Sequence, residues 1–425
     1  MKAYLVALVL FLALGSRAEA QEPPVATPPT FGFSLPSVEG TLTYGLSASE
    51  SFVTGYGNGA DYSTAFSGSL GYLSSSPDKP FSLVYSGGYL YSSVSSYPTS
   101  STFQNLAASQ VITTKNWNFV IDDAVSYLPE SPTTGLSGIP GVGDIGVDPV
   151  QIGDQPPQTI LTNYATRVGN GLNGGVTRNF GKSLSINGSA SWQILHFTNN
   201  EGIDSSTVNA SVGPTYHIDA RSSVSANAVY SYTKDTYADL TYPFETEGVN
   251  VQYQRQLTRF FSMSVSAGPQ RTFGTGAAAT LIPSEITPVA SATLTYARRT
   301  TSASVSFSRA TNAGSGVLYG ALTNNIGATV RQQFSRDWQG ALTVSYSQST
   351  SLAKIPGAGE SYDATYGGGQ ISRRLGRSFS AYFSYTAVHQ NQTNVVIVQP
   401  VFSGLSQTFS VGITYSPGPH HLGHY

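Results

Sequence analysis

The chain has 425 residues, of which 40% are hydrophobic and 12% aromatic but only 10% charged, with 44 Gly, 26 Tyr, no Cys and a formal net charge of -2. A soluble globular protein carries about a quarter charged residues, so much of this surface is expected to face something other than water. The lack of Cys excludes a disulfide framework and a thiolate metal site. No Gly-X-Y period is present, the near-neutral charge offers no nucleic-acid partner, and no cofactor motif appears.

The first 20 residues read as a secretory signal: Lys2, the apolar run Leu5–Leu14, then Ala18-Glu19-Ala20 before Gln21. That run is shorter than the ~20 residues a spanning helix needs, and no later stretch is apolar enough to cross. The mature chain is expected to be exported. If it spans a membrane it does so as a closed barrel, because lipid offers no partners for unpaired strand edges. Residues 21–39 form a Pro-rich periplasmic tail.

From Thr41 onward, apolar residues recur with period two. Early rows are Tyr62, Phe66, Leu70 and Tyr72, then Phe81, Leu83, Tyr85 and Tyr89, then Trp117, Phe119, Ile121, Val125 and Tyr127. Ser, Thr, Asn, Gln and Gly fill most intervening positions. The pattern predicts an all-β antiparallel transmembrane barrel over 40–416 and a tail over 417–425, with about eighteen strands (sixteen also fits) of roughly ten residues. Tight polar turns near Lys115-Asn116, Gly181-Lys182, Asp219-Ala220, Thr258-Arg259, Ser335-Arg336 and Gly376-Arg377 alternate with longer loops, among them Thr198–Ser205, Thr233–Pro243, Thr272–Thr287 and Thr311–Gly320. Short turns at one end and long loops at the other predict a periplasmic and an extracellular side.

The turns repeat. Arg178-Asn179-Phe180-Gly181-Lys182-Ser183-Leu184 matches Arg255-Gln256-Leu257-Thr258-Arg259-Phe260-Phe261, and Gln332-Gln333-Phe334-Ser335-Arg336-Asp337-Trp338 and Arg373-Arg374-Leu375-Gly376-Arg377-Ser378-Phe379 follow the same plan. These hairpins, the leader and the strand tally resemble the porin-like outer-membrane β-barrels of Gram-negative bacteria, especially those that accompany exopolysaccharide-export and exosortase clusters. The resemblance covers about Thr41 to Tyr415. It implies insertion by the barrel-assembly machinery, contact with outer-membrane lipid and lipopolysaccharide, and passage of small polar solutes or saccharides. Such barrels are often trimeric, which leaves a homo-oligomer open. The alternating strand Phe409, Val411, Ile413, Tyr415 reads as the terminal barrel signal, followed by a tail with His420, His421 and His424.

Charge divides by side. Lys182, Arg221, Arg259, Arg336 and Arg377 fall in short turns and are expected to anchor the periplasmic interface. Acids such as Glu50, Asp204, Glu245, Glu247 and Asp363 lie in or beside long loops, which suggests either a cation-attracting mouth or loops kept soluble. The longest irregular stretch, 129–158, is the third outer loop. Its Glu130, Asp144, Asp148 and Asp154, facing Arg167 and Arg178 on the wall, are the constriction candidates if the loop folds inward; the alternative is a surface flap. No enzyme is expected, since His196, His217 and His389 look isolated. Adjacent Asp122-Asp123 reads as a bulge or a strand leaving the bilayer rather than a catalytic dyad. A channel and a structural or polysaccharide-export barrel whose loops bind an envelope polysaccharide or surface partner are the competing functions.

Overall fold

The computed structural model describes residues 40–55, 60–76, 79–93, 100–129, 166–198, 202–238, 240–354, 361–393 and 403–422. The predicted signal peptide, the Pro-rich tail and the third loop beyond Pro129 lie outside these residues. The first strands are β1 (Gly40–Thr54), β2 (Ala60–Ser74), β3 (Phe81–Ser92), β4 (Ser100–Thr113), β5 (Trp117–Pro129), β6 (Thr166–Asn179), β7 (Leu184–Phe197), β8 (Asp204–Asp219) and β9 (Ser222–Tyr237). They continue as β10 (Leu240–Gln256), β11 (Phe261–Gly274), β12 (Glu285–Arg298), β13 (Thr301–Asn312), β14 (Ala321–Gln333), β15 (Trp338–Ser351), β16 (Ser361–Arg374), β17 (Phe379–Thr393), β18 (Gly404–Tyr415) and the short β19 (His420–Leu422).

Each strand from β1 to β18 pairs antiparallel with its sequence neighbours, and β1 also pairs with β18 from Leu46↔Tyr415 to Thr54↔Gln407, which closes the sheet. Closure removes every edge that lipid would leave unpaired. The pairings advance by a shear of about 22 residues around the barrel, which for eighteen strands corresponds to a tilt of about 40° and a lumen too wide for the wall's own side chains to fill.

Directly opposed residues share a face, so one anchored residue orients the whole wall. Phe244 on β10 is fully buried against Ala278, Ile282 and Ala353 from the connecting loops and therefore points inward. Carried round through the registers, the inward set includes Ser49, Ser86, Ser126, Asn187, Thr215 and Gln370. The outward set includes Leu46, Phe66, Leu106, Ile121, Leu172, Val251, Val305 and Val344, all exposed. Two outward aromatic belts flank that band. Trp117, Tyr216, Phe261, Trp338, Phe379 and Tyr415 lie toward the short turns; Tyr62, Tyr89, Tyr127, Tyr230, Tyr346 and Phe409 lie toward the loops. The rise from Trp117 to Tyr127 along a tilted strand is about 25 Å, the height of a barrel's apolar band. The wall is thus built to span a membrane.

Three local expectations are corrected. Thr233–Pro243 is not a long loop: β9 and β10 stay paired out to Leu240↔Tyr237, because ladder hydrogen bonds hold a strand above the bilayer even where its side chains turn polar. The predicted C-terminal tail contributes β19, which pairs with Gly40–Leu42, and His420 stacks on Tyr44 with centroids 5.6 Å apart. No bulge interrupts β5 at Asp122-Asp123, where the pairing with both neighbours is continuous.

Candidate functional site

The mouth at the loop side is narrowed by three connections that sequence reading did not single out. The β11–β12, β13–β14 and β15–β16 loops pack together around Phe244, with Ile282, Ala278, Ala353, Leu281, Tyr319 and Leu352 forming one apolar cluster. Backbone bonds knit them: Lys354 N–H donates to Leu281 O at 2.8 Å, Leu352 N–H to Gly320 O at 3.1 Å, and Thr275 N–H to Pro243 O at 2.9 Å.

The β13–β14 loop goes furthest. From the β13–β14 side of the wall it reaches β7, β8 and β9. Ile203 N–H donates to Gly316 O at 2.8 Å, and Gly320 N–H donates to Asp235 Oδ2 at 2.8 Å. Its sequence explains the shape. Asn312 Oδ1 accepts from Gly314 N–H at 2.8 Å and starts the turn. Gly316 and Gly320 take φ of 79° and 67°, open to glycine at no steric cost. Both also meet other groups closely: a Cβ on Gly316 would enter the Phe197 ring, and one on Gly320 would sit 2.9 Å from Leu352 Cδ1 and Phe244 Cε1.

Between this loop and the inner faces of β7–β10 lies a cavity of about 190 Å³, with Gln193, Thr207, Asn209, Thr233, Phe244 and Asn312 among its lining. Every lining residue is uncharged. Above the loop-side aromatic belt, Asp235 is completely buried, and no hydrogen-bond partner among the described residues reaches its Oδ1. Burial pushes its carboxyl well above the usual carboxylate range, and the Gly320 N–H pulls in the other direction.

The predicted residues fall as follows. Glu130, Asp144, Asp148 and Asp154 lie outside the described residues. Arg167 is inward, buried and at the mouth, at the start of β6. Arg178 is not brought to the third loop: it sits at the turn end of β6 on the outer face, 5.0 Å over Trp117 and 4.6 Å over Phe180. That is the geometry of an interfacial anchor. Lys182, Arg221, Arg259, Arg336 and Arg377 are all exposed in the short turns, with Arg259 4.4 Å over Phe260. Asp219 Oδ1 shapes one of these turns by accepting from Arg221 N–H at 2.6 Å.

Among the described residues, most of the acids singled out in the loops do not ring the mouth. By register, Glu50, Asp204, Glu245, Glu247 and Asp363 point outward, around the outside of the barrel. Several are held there: Glu247 by Arg271 at 3.3 Å, Asp363 by the Tyr346 hydroxyl at 2.9 Å, Asp204 by His196 Nδ1 at 2.6 Å. His196 is therefore paired rather than isolated. The mouth elements did leave a trace in the sequence. Val317-Leu318-Tyr319 and Leu281-Ile282 are apolar runs within loops, and such runs need burial that a water-facing loop does not give.

No protein-family model matches the chain, and no curated protein matches it. Similarity is found to solved structures. Pseudomonas aeruginosa OccK2 (OpdF) is 9% identical, covers 88% of this chain and 97% of its own, and superposes with a TM-score of 0.43. The Pseudomonas aeruginosa outer membrane protein OpdK is 8% identical, with 90% and 99% covered and a TM-score of 0.44. Acinetobacter baumannii OccAB3 is 8% identical, with 89% and 99% covered and a TM-score of 0.41. Likenesses this low add nothing to the barrel that the strand registers establish.

Proposed function

We propose that the protein is an outer-membrane channel for passive passage of small polar solutes, with neutral saccharides as the best-fitting class. The observation that carries this is the chemistry of the inner wall. Among the described inward positions charge is sparse, as at Asp122, Arg167, Asp235, Glu285, Arg331 and Arg374, and most of the rest are hydroxyl, amide or glycine. Hydroxyls and amides exchange hydrogen bonds with a polyol at little net cost, and a sparsely charged wall sets up no strong field to sort ions. The cavity at the mouth, beside the β13–β14 loop, is lined by uncharged residues alone.

The signal-like leader and the lipid-facing band support residence in the outer membrane, with the turn-side basic residues reaching lipid phosphate. Proteoliposome swelling with neutral sugars of increasing size is the test. Swelling that falls steadily with sugar size is expected. A barrel that admits not even the smallest sugar would overturn the channel reading and favour a structural or export-associated role.

A further inference from the structure

We propose that the outward face of β4–β7, centred on Asp123, is the surface on which a second copy of this chain packs within the membrane. The starting point is the level of Asp123. It stands on β5 between Trp117 and Tyr127, the residues of the two aromatic belts, and its outward neighbours are Ile121, Val125 and Leu172. Ile121, Val125 and Leu172 are exposed on the lipid side. The register tilt brings the other outward acids, Glu50 and Glu247 included, level with the loop-side belt or above it, and leaves Asp123 midway between the belts.

A carboxylate facing hydrocarbon is costly, and such residues normally turn to protein or water. Asp123 is met by an amide, not a cation: Asn170 Nδ2 donates to its Oδ1 at 2.8 Å, while also reaching Ala124 O at 3.3 Å. No salt bridge to Asp123 forms among the described residues. One neutral donor does not replace the shell that a carboxylate has in water.

The surroundings fit a second copy. Gln104 lies on the same outward face of β4, so the face carries an amide donor as well as the acceptor it would serve, whereas the Gln110 amide is already engaged with Val111 O at 2.9 Å and Pro80 O at 3.3 Å. Ala108, Gly174, Gly188 and Ala190 surround the pair, and small residues let two backbones approach within a membrane. A face holding both halves of its own hydrogen bonds is complementary to itself. The opposite side, with Val305, Phe307, Ile326, Leu342, Phe383 and Val411, is broad, apolar and suited to lipid.

The chain contains no Cys, so single cysteines report the face directly. In proteoliposomes, A108C and G174C are expected to give cross-linked multimers with a flexible bis-maleimide, and V344C on the far side is not. The wild-type chain in lipid nanodiscs is expected to show a whole multiple of its monomer mass. D123L, with folding verified by heat-modifiable gel mobility, is expected to raise the monomer fraction severalfold. D123N keeps the hydrogen bonding and is expected to retain the multimer. A monomeric mass in lipid, equal cross-linking from both faces, cross-links to a different polypeptide alone, or an unchanged multimer in folded D123L would each overturn the proposal.

Discussion

Replacing Phe244 with Ala is expected to open the mouth without opening the wall. The ring is 1% exposed, and its buried partners Ala278, Ile282 and Ala353 belong to loops, not to neighbouring strands. Truncating a packed Phe costs about 3–5 kcal/mol. The backbone ladder of β10 with β9 and β11 does not involve the side chain, so the loss falls on loop docking. At about 1.4 kcal/mol per tenfold, the docked-to-undocked ratio falls by a factor of about a hundred to a few thousand. Single-channel recording in a planar bilayer is expected to show higher mean conductance and more frequent level changes, with heat-modifiable mobility unchanged. G316V attacks the same docking from the Phe197 side and is expected to act in the same direction, whereas V344A on the lipid face is expected to leave conductance alone. If folded F244A conducts like the wild type, these loops do not limit the path.

Asp235 gives a pH prediction. Its folded pKa is raised, so the stabilisation it lends the β13–β14 loop is fully present below the unfolded carboxylate value of about 3.9 and is lost as pH rises through the folded value. Channel fluctuations are expected to grow with rising pH, and D235N, neutral at every pH and still able to accept from Gly320 N–H, is expected to remove that dependence; equal pH dependence in both would refute it. The third loop keeps its own test. Deleting Gly138–Pro149 raises conductance if that segment lies in the lumen beside Arg167, and unchanged conductance together with a rise in F244A would assign the constriction to the β11–β16 connections alone.

How much was legible in the sequence follows from which features are local. Alternation of period two is local, so the strands, the tight turns at Lys115-Asn116 or Gly376-Arg377, and the basic turn residues could be read directly. The sparsity of charge marked a membrane protein, and lipid's intolerance of open strand edges then required closure. Strand limits at Tyr237 and Leu240 were harder, because hydrogen bonding with a neighbour continued past the point where the side-chain pattern stopped.

Facing, depth and loop docking are not local. Whether Arg178 stands by the third loop or at the far rim depends on which end of β6 it occupies and which side it faces. Glu50 and Glu247 look like mouth acids until pairing turns them outward. The level of Asp123 emerges only when registers are carried round the closed sheet, since each strand adds its own offset to the tilt. The β13–β14 loop meets Phe197 and Asp235 from strands well removed around the barrel. The sequence by itself therefore determined the barrel, its alternation of short turns with longer loops and its overall sparsity of charge. Only the tertiary structure decided which loops narrow the mouth and which part of the outer face is unsuited to lipid, because both depend on contacts between residues far apart in the chain.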